Sequence, residues 1–291
     1  MSDQGSPLRG LESADAGDWA PTGIDTSVAH PARVYDYLLE GKDNFEADRV
    51  AAEQLLAASP PVRELARANR AFLGRAVKYL AEQGIDQFLD IGTGIPAADN
   101  THEVAQRVNP AARVVYVDND PIVLAHARAL MSGQGLGATT AILADLRDPA
   151  AILAHPQVRA AIDFDRPIGL ILVAVLHFIT EDEHPDAIVK TLRDALPAGS
   201  HVVLSHGTPD TKPGDDSVVV DGFTEGVVCV YRQRASARAT PRSGPRIREL
   251  LTGFELVEPG LVPVAAWRPD GSEEPLRFDG VGVYGVVGRK D

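Results

Sequence analysis

The sequence predicts an α/β protein with a doubly wound, mostly parallel sheet. From Gln87 onward, short apolar runs alternate with segments of helical periodicity, and this alternation is typical of a parallel sheet covered by helices. A glycine pair, Gly92 and Gly94, directly follows the first run. The next two runs end at acidic residues, Asp118 and Asp145. Because ligands bind at the carboxyl ends of the strands in such sheets, these residues indicate a binding crevice there.

Composition limits the partners of this chain. Its 291 residues, 44% of them hydrophobic, are enough for one large core, and we expect one domain with an added N-terminal cap. The 28 Lys and Arg against 41 Asp and Glu give a formal charge of −13, which argues against general binding to nucleic acid or anionic lipid. The longest apolar run, Ile168 to Leu176, is far shorter than the roughly 20 residues that span a bilayer. We therefore expect neither a nucleic-acid nor a membrane partner, and the oligomeric state is not determined.

Cysteine and histidine usage bears on location and on metals. Cys229 is the single cysteine, so neither an internal disulfide nor a cysteine cluster for zinc can form, as is typical of cytoplasmic proteins. The eight histidines show no metal-ligand spacing such as His-Glu-x-x-His. We predict a cytoplasmic protein without a metal site, although spacing alone leaves open a divalent ion held by Asp residues.

The first 83 residues predict a tail and a helical cap. Residues 1–22 are rich in Ser, Gly, Asp and Pro, and we expect a disordered tail. Residues 23–83 predict three helices: one opened by Pro31 and stopped by Gly41, one over Glu46 to Ala58, and one opened by Pro60-Pro61 that reaches Ala81. Residues 84–291 are then expected to form the sheet domain.

The elements of the sheet domain follow in order. Strands are predicted at Gln87 and near Arg113, Thr140, Ile168 and His201, with helices near Ala98, Pro121, Ala150 and Asp186. Pro96 suits the first turn of the helix after the glycine pair, where its missing N–H is not needed. Phe254 to Glu258 and Val281 to Val287, separated by a connection rich in Pro, Trp and Asp-Gly, predict a terminal antiparallel pair.

The turn after the first strand predicts a nucleoside cofactor. Gly92 and Gly94 let the backbone bend sharply and approach a ligand with no side chain in the way. Amides at the start of the following helix face such a ligand. Asp90, two residues before the first glycine, decides the type of cofactor, because a carboxylate there repels a pyrophosphate and attracts a cationic aminoacyl end.

Acids at the next two strand ends extend this site. Asp118 is placed to accept both ribose hydroxyls, as the acid after the second strand does in doubly wound nucleotide sites. We expect Asn119 beside the adenine and Asp120 as the cap of the next helix. Asp145 and Leu146 are placed to hold the adenine amino group and face. The alternative for the Asp-Asn-Asp-Pro segment is a helix cap alone.

This pattern resembles the class I S-adenosylmethionine-dependent methyltransferases, with Asp90-x-Gly92-x-Gly94 as the first motif, Asp118 as the second and Asp145 as the third. Pro96 stands where a third glycine is usual. A closer resemblance, to a mainly actinobacterial family of these enzymes with the motif Asp-Ile-Gly-Thr-Gly-x-Pro, extends over most of the chain. The segments that carry it are Ile24 to Ser27, His30 to Tyr37, Gly41 to Phe45, Asn69 to Phe72 and Asn100 to Gln106.

The resemblance implies a Rossmann-like, seven-stranded sheet whose C-terminal hairpin supplies strands six and seven, and S-adenosyl-L-methionine as the cofactor. We also place Thr93 and Val175 at the cofactor. The N-terminal helices are expected to form a lid, on which Tyr35 and Asn44 reach the cofactor or acceptor and Arg70 pairs with a carboxylate. A solvated surface is the alternative for this polar segment. The resemblance names no acceptor.

The fourth strand leads to a candidate catalytic residue. His177 follows an apolar run and should emerge at the carboxyl end of the sheet. A neutral imidazole there could take a proton from an acceptor hydroxyl, and the alternative is a histidine that only shapes the pocket. No Asp or Asn followed by Pro-Pro-aromatic occurs after this strand. That tetrapeptide marks many methyltransferases that act on exocyclic base nitrogens, so its absence argues against base methylation. The helices before the first strand resemble those that wall the acceptor pocket in small-molecule methyltransferases, and we expect a small-molecule acceptor.

Two other functions are compatible with the same residues. Gly92-x-Gly94-x-x-Ala97 also satisfies the dinucleotide fingerprint, with Asp118 at a suitable distance downstream, which would suit an NAD-dependent oxidoreductase. An S-adenosylmethionine-binding protein without catalysis, acting as a sensor or assembly partner, would have the same cofactor residues. Our leading hypothesis is direct in-line methyl transfer, in which the protein supplies proximity and alignment.

Six arginines form a basic concentration in this acidic chain: Arg232, Arg234, Arg238, Arg242, Arg246 and Arg248. Pro241 and Pro245 interrupt any continuous helical stripe. We expect a solvated face that pairs with the protein's own acids, and the alternative is a site for an anionic acceptor or partner.

Overall fold

The computed structural model describes residues 25–131, 138–212, 222–271 and 282–291. The predicted tail, residues 1–22, lies outside these ranges. Three helices come first: α1 (Pro31–Leu38), α2 (Glu46–Ala58) and α3 (Val62–Glu82). The bounds predicted for α2 are confirmed, and those for α1 and α3 are close. Pro31 takes the first helical position and His30 Nδ1 accepts from the Ala32 amide, which starts α1.

Within the described ranges, eight strands and seven further helices follow. The strands are β1 (Gln87–Ile91), β2 (Arg113–Asp118), β3 (Thr139–Leu143), β4 (Gly169–Val173), β5 (His201–Gly207), β6 (Glu255–Leu256), β7 (Val262–Pro263) and β8 (Val283–Arg289). The helices are α4 (Thr101–Val108), α5 (Pro121–Met131), α6 (Pro149–Ala154), α7 (Pro156–Ala161), α8 (Pro185–Ala195), α9 (Gly222–Arg234) and α10 (Gly244–Leu250). The predicted alternation of strand and helix through β5 is confirmed.

The strands form one sheet in the order β3-β2-β1-β4-β5-β8-β6, with β7 also paired to β8. Because β6 and β7 pair with different parts of β8, the described strands occupy seven positions. The first five run parallel, whereas β8 is antiparallel to β5, β6 and β7. The order reverses between β1 and β4, where doubly wound sheets bind ligands. The predicted mostly parallel sheet with an antiparallel C-terminal end is confirmed.

Apolar side chains fill a layer on each face of the sheet. Alternate residues of a strand point to opposite faces, so Leu89 and Val115 belong to one cluster while Phe88 and Val114 belong to the other. A third cluster joins the N-terminal helices to α9. Among the helices of the described ranges, none combines the length and the apolar character that crossing a membrane requires.

The connection between β1 and α4 differs from the prediction. Pro96 does not lie in a first helical turn, because α4 begins only at Thr101. The Asn100 amide donates to Glu103 Oε2 at 2.8 Å, and this capping box sets the helix start more strongly than a proline four residues earlier. Residues 92–100 are therefore a loop rather than the beginning of a helix.

Candidate active site

Three aspartates lie in a staggered line at the carboxyl edge of the sheet. Asp90 of β1 pairs with Tyr116, two residues before Asp118. Asp118 ends β2 and pairs with Leu143, two residues before Asp145. Neighbouring strands lie about 4.8 Å apart and each residue rises about 3.3 Å, so each step of this line spans roughly 8 Å. The spacing suits an elongated ligand.

One cleft is lined by these acids, by the glycine turn and by the ends of β4 and β5. The predicted site residues that line it are Tyr35, Arg70, Asp90, Gly92, Thr93, Gly94, Asp118, Asn119, Asp145, Leu146, Val175 and His177. Asn44 is not among them. The structure therefore brings together all but one of the residues that the sequence indicated.

The glycine turn brings the backbone to the cleft. Gly92 and Gly94 have φ of +75° and +69°, in the region that favours glycine. A Cβ at Gly92 would lie 2.4 Å from Val175 Cγ2, so glycine is required for Val175 to pack there. At Gly94, no described heavy atom lies within 4 Å of the Cβ position, and a ligand can approach. Thr93 Oγ1 donates to the Asp90 carbonyl at 3.0 Å and fixes the turn.

Asp90 is a buried carboxylate, 5% exposed. Thr101 Oγ1 donates a hydrogen bond to its Oδ2 at 2.6 Å. Burial raises the pKa of Asp90 to about 6, against the opposing effects of the Thr101 hydrogen bond and the Arg70 charge. A cation bound beside Asp90 would favour the ionised form, so this carboxylate is suited to a positively charged group.

Asp118 is held by two backbone amides. The Gly94 amide donates to Oδ2 at 2.8 Å and the Asp120 amide to Oδ1 at 2.9 Å. Burial raises the pKa of Asp118, although these hydrogen bonds oppose the shift. Each carboxylate oxygen has about two lone-pair sites, so each retains one for a ligand hydroxyl. Asp120 accepts from the Ile122 amide at 2.9 Å and caps α5, as predicted.

Asp145 stands at the far end of the line, beside Asn119. Asn119 Nδ2 donates to Asp145 Oδ2 at 3.0 Å, and the Arg147 amide donates to Oδ1 at 2.9 Å. Burial alone would raise the pKa of Asp145, but these hydrogen bonds and the Arg147 charge hold it below its ordinary value. Asp145 is therefore ionised at neutral pH, and the buried Leu146 adds an apolar surface next to it.

The chain turns sharply at the end of β4. Ala174 has φ of +55°, a conformation that is costly for a residue with a Cβ. Its amide donates to Ser205 Oγ at 2.9 Å, which holds the turn in place. The turn directs Val175 against Gly92 and leads into the 3₁₀ turn that carries His177. Backbone strain of this kind is concentrated at functional sites.

His177 lines the cleft but is a weak base. Its Nδ1 accepts a hydrogen bond from the Gly207 amide at 3.3 Å. Burial, together with the charge of Arg242, lowers the pKa of His177 to about 4. The imidazole is therefore neutral at pH 7, and Nε2 carries the proton because Nδ1 is the acceptor. His177 can thus donate a hydrogen bond from Nε2 and has no free basic nitrogen.

Arg70 fastens the loop that follows the glycine turn. Within the described residues its hydrogen bonds are to the loop and not to a carboxylate: Nε and Nη2 donate to the Ala98 carbonyl at 3.1 and 3.0 Å, and Nη2 donates to Asn100 Oδ1 at 3.0 Å. The pairing of Arg70 with a carboxylate stays a prediction. The loop is not helical, so its carbonyls need donors from outside, and the guanidinium supplies them. The Arg70 charge still reaches Asp90, whose pKa it lowers against the effect of burial.

Asn44 is predicted to reach the ligand, but the structure places it away from the cleft. Its Nδ2 donates to Asp36 Oδ2 at 2.8 Å and to the Gly41 carbonyl at 3.1 Å, and the residue is buried. The amide is held there because a buried carboxylate needs hydrogen-bond donors. Tyr35 does line the cleft, and its hydroxyl donates to the Ala66 carbonyl at 2.9 Å.

Buried charges fasten the N-terminal helices to the sheet. Arg33, 4% exposed, has Nε 3.2 Å from Asp120 Oδ2 and Nη1 3.6 Å from Asp48 Oδ2. His30 Nδ1 lies 3.3 Å from the same Asp120 oxygen. The alternative of a solvated surface is therefore wrong for Arg33 and Asp48. The sequence did not reveal the pairing of Arg33 with Asp120, because residues so far apart in the chain leave no local signal.

Arg242 and Arg246, from the cluster of six arginines, pair with an acid of the chain itself. Arg242 Nε lies 2.6 Å from Glu181 Oε1, and Arg246 Nη2 lies 2.9 Å from Glu181 Oε2. This agrees with the expected pairing, but Arg242 is 3% exposed rather than solvated. Its Nη1 donates to the Leu176 carbonyl at 3.0 Å, which fixes the turn that carries His177.

Apolar side chains form much of the remaining cleft wall. Val62, Leu65, Ala66 and Leu73 come from one face of α3. Phe178, Val227, Tyr231, Ala239, Pro241 and Val283 come from other elements. The rings of Phe178 and Tyr231 have centroids 5.1 Å apart. This part of the cleft is suited to a ligand with an apolar body.

The three aspartates cannot all ligate one metal ion. The strand register places the backbones of Asp90 and Asp145 roughly 16 Å apart, which is farther than two Asp side chains can reach to share an ion. In residues 25–131, 138–212, 222–271 and 282–291, no group of three or more His, Cys, Asp or Glu side chains is placed to hold a metal ion.

Comparison with known proteins identifies the family. A sequence model for the S-adenosyl methyltransferase family matches residues 17–291. The chain belongs to this family. This confirms the resemblance to S-adenosylmethionine-dependent methyltransferases, and it makes S-adenosylmethionine the cofactor that the family implies.

Solved structures of similar proteins agree with the S-adenosyl methyltransferase fold. A DUF574 family protein from Streptomyces avermitilis is 41% identical, with a TM-score of 0.85 over 92% of this chain and 99% of that one. A candidate methyltransferase from Thermobifida fusca is 42% identical, with a TM-score of 0.84 over 94% of this chain and 100% of that one. No curated protein matches the sequence.

The residues at the carboxyl edge fit the cofactor of the S-adenosyl methyltransferases. The open approach at Gly94 would admit a nucleoside, and Asp90 and Asp118 are buried carboxylates with free lone pairs beside it. The nicotinamide alternative is not supported, because β8 runs antiparallel between β5 and β6 and no helix starts at the glycine turn.

The buried charge of Asp90 should cost stability at neutral pH. Its folded-state pKa of about 6 lies above the ordinary value of 3.8, so the free energy of unfolding falls as pH rises from 4 through 6. Asp90→Asn keeps an acceptor for Thr101 and removes this titration. We expect the variant to match the wild type near pH 4 and to be more stable by up to roughly 3 kcal/mol at pH 7.

Urea unfolding of both proteins between pH 4 and 8 measures this difference. Asp99→Asn is the matched control, because Asp99 is more than half exposed and pairs with Arg107 at the surface, where an ion pair contributes little. A difference between wild type and Asp90→Asn that does not grow with pH would contradict the pKa of Asp90.

Proposed function

We propose that this protein transfers a methyl group from S-adenosylmethionine to a small-molecule acceptor that binds in the same cleft. One observation carries the proposal: a single cleft is lined both by the three staggered aspartates with the glycine turn and by apolar side chains of α3 and α9. Transfer between two bound molecules requires that they share one space in a fixed orientation. A continuous cleft of this kind supplies it.

The strand ends nearest the topological switch would hold the methionine portion of the cofactor. Asp90 is the partner for its cationic amino group, because a buried carboxylate is best compensated by an opposite charge. Gly92, Thr93 and Gly94 supply backbone groups at close range. Val175, which packs against Gly92, would border the same portion.

The outer strand ends would hold the nucleoside. Asp118 would accept the two ribose hydroxyls with the lone pairs that its backbone partners leave free. Asp145 would accept from the adenine amino group, with Leu146 and Asn119 beside the ring. Tyr35 and Arg70 line the cleft from the N-terminal side. Arg70 is proposed to support cofactor binding indirectly, by fastening the loop that follows the glycine turn.

When bound, S-adenosylmethionine supplies a methyl group that its sulfonium has already activated. The protein's own contribution is therefore alignment and exclusion of water. The buried pairing of Arg33 with Asp120 holds α1 at the carboxyl edge of the sheet. The strained turn at Ala174 and the 3₁₀ turn that follows place Val175 and His177 in the cleft wall.

His177 is proposed to position the acceptor. Its neutral imidazole has Nδ1 occupied by the Gly207 amide, so the group available is the Nε2 hydrogen. A donor at this place would accept no proton but would orient an oxygen or nitrogen of the acceptor. Of the roles considered for His177, we therefore favour positioning of the acceptor over general-base catalysis.

Two features support a small molecule as the acceptor: the negative charge of the protein and the position of the N-terminal helices at the cleft. The formal charge of −13 disfavours nucleic acid. Helices α1 and α3 both contribute to the cleft wall, so the N-terminal helices enclose part of the space that the acceptor would occupy. A small molecule with an apolar body meets both conditions.

Asp118→Ala should weaken S-adenosylmethionine binding at least about tenfold, because each hydrogen bond to a carboxylate contributes about 1.5–3 kcal/mol. Isothermal titration calorimetry measures the affinity. The matched control is Asp86→Ala, since Asp86 directly precedes β1 at the opposite edge of the sheet and pairs with Arg166. An affinity unchanged in Asp118→Ala, or lowered equally in the control, would refute the ribose assignment.

Labelled S-adenosylmethionine incubated with the protein and a cell extract should place the label in the small-molecule fraction. Products are separated by size into small molecules, proteins and nucleic acids, and Asp118→Ala protein serves as the background. Label in a macromolecular fraction would contradict the proposed acceptor class. Binding of the cofactor without any transfer would favour the sensor alternative.

His177→Gln should retain activity within about tenfold of the wild type, and the rate should show no histidine titration near pH 6.5. The glutamine carbonyl can accept from Gly207 and its amide can donate in place of Nε2–H. A general base would contribute roughly 10²–10⁴-fold. A loss of that size, or an acid limb near pH 6.5 that the variant lacks, would restore the general-base assignment.

A further inference from the structure

Asn69 of α3 is a buried cleft residue with an unused hydrogen-bond acceptor. It is 3% exposed and lines the cleft. Its Nδ2 donates to Tyr35 Oη at 2.9 Å. Within the described ranges its Oδ1 has no hydrogen-bond partner. A buried acceptor left unpaired costs about 1–3 kcal/mol, so its presence calls for a physical reason.

The orientation of the Asn69 amide is fixed by Tyr35. The Tyr35 hydroxyl has one hydrogen, and it donates that hydrogen to the Ala66 carbonyl at 2.9 Å. Towards Asn69 the hydroxyl can therefore only accept. The NH₂ group must face Tyr35, and the carbonyl oxygen is left over by this arrangement. This chain of hydrogen bonds through Ala66, Tyr35 and Asn69 therefore leaves a hydrogen-bond acceptor, the Asn69 carbonyl oxygen, without a partner among the described residues.

The surroundings of Asn69 indicate that its partner is the molecule that receives the methyl group rather than the cofactor. Its neighbours on the same helix face, Leu65, Ala66 and Leu73, are apolar and line the cleft. The cofactor's cationic amino group already has a charged partner in Asp90 under the proposed function. A neutral carbonyl oxygen within an apolar wall suits a neutral hydroxyl or amine on an otherwise apolar molecule.

We propose that Asn69 Oδ1 accepts a hydrogen bond from the hydroxyl or amine of the methyl acceptor, and that this acceptor is an apolar, ring-sized molecule carrying such a donor. This inference rests on the proposed function and names its substrate class. The rings of Phe178 and Tyr231 and the side chains of Val62 and Leu65 supply the apolar surface. A site built to pair with a donor discriminates strongly against an analogue that lacks it.

The test compares 2-naphthol with 2-fluoronaphthalene, a probe of similar size without the donor. Wild-type protein saturated with S-adenosylhomocysteine should bind 2-naphthol at least about tenfold more tightly, as measured by ligand-observed NMR titration. Asn69→Leu, which has a similar shape, should reduce that preference below about threefold. Asn69→Asp retains an acceptor and should keep the preference.

Cofactor affinity separates the two proposals. Asn69→Leu should bind S-adenosylhomocysteine within about threefold of the wild type. Its thermal midpoint should change little, because loss of the hydrogen bond to Tyr35 is offset by removal of the buried unpaired oxygen. The inference is overturned if neither probe binds the wild type, if Asn69→Leu keeps the preference, or if it loses S-adenosylhomocysteine as strongly as 2-naphthol. Failure of the wild type to bind S-adenosylhomocysteine at all would instead overturn the proposed function.

Discussion

The parallel register of β1, β2 and β3 is the constraint on which the site depends. Asp90 pairs with Tyr116 and Asp118 pairs with Leu143, and these pairings place the carboxylates in a staggered line. A slip of one residue would turn every side chain of a strand to the opposite face. Because both faces of these strands are packed, as Phe88 and Leu89 are in different clusters, the core holds the register and therefore the site.

Three arginines then fix the irregular segments around that line. Arg33 ties the N-terminal helices to Asp120, Arg70 holds the loop after β1, and Arg242 holds the turn after β4. A planar guanidinium can donate to loop carbonyls, as in Arg70 and Arg242, or place its charge beside a buried carboxylate, as in Arg33. Leaving a buried partner such as Asp120 without its guanidinium would cost several kcal/mol. Side-chain contacts thus hold these three segments, as strand pairing holds the sheet beneath them.

The cleft presents hydrogen-bond groups of opposite character to a ligand. His177 is neutral with its proton on Nε2, and Asn69 offers a carbonyl oxygen. A bound molecule that donates to Asn69 and accepts from His177 would be oriented more firmly than by either contact alone. Asp90 and Asp145 differ in the direction of their pKa shifts. Burial dominates at Asp90 and raises its pKa, whereas hydrogen bonds and the Arg147 charge dominate at Asp145 and lower its pKa. Environment, more than residue type, assigns these roles.

The sequence by itself determined the alternation of elements, the bounds of α2, the start of β1, and the strand-end residues Asp90, Asp118 and Asp145. These follow from periodicity, turn chemistry and strand length, which act within a few residues. Only the tertiary structure decided the remaining contacts. It moved the start of α4 beyond Pro96, turned Asn44 and Arg70 to partners inside the protein, paired Arg33 with Asp120, buried Arg242 and left Asn69 Oδ1 free in the described ranges. The physical reason is that the partner of a long polar side chain depends on which segments pack together, and chain neighbours carry no record of that packing.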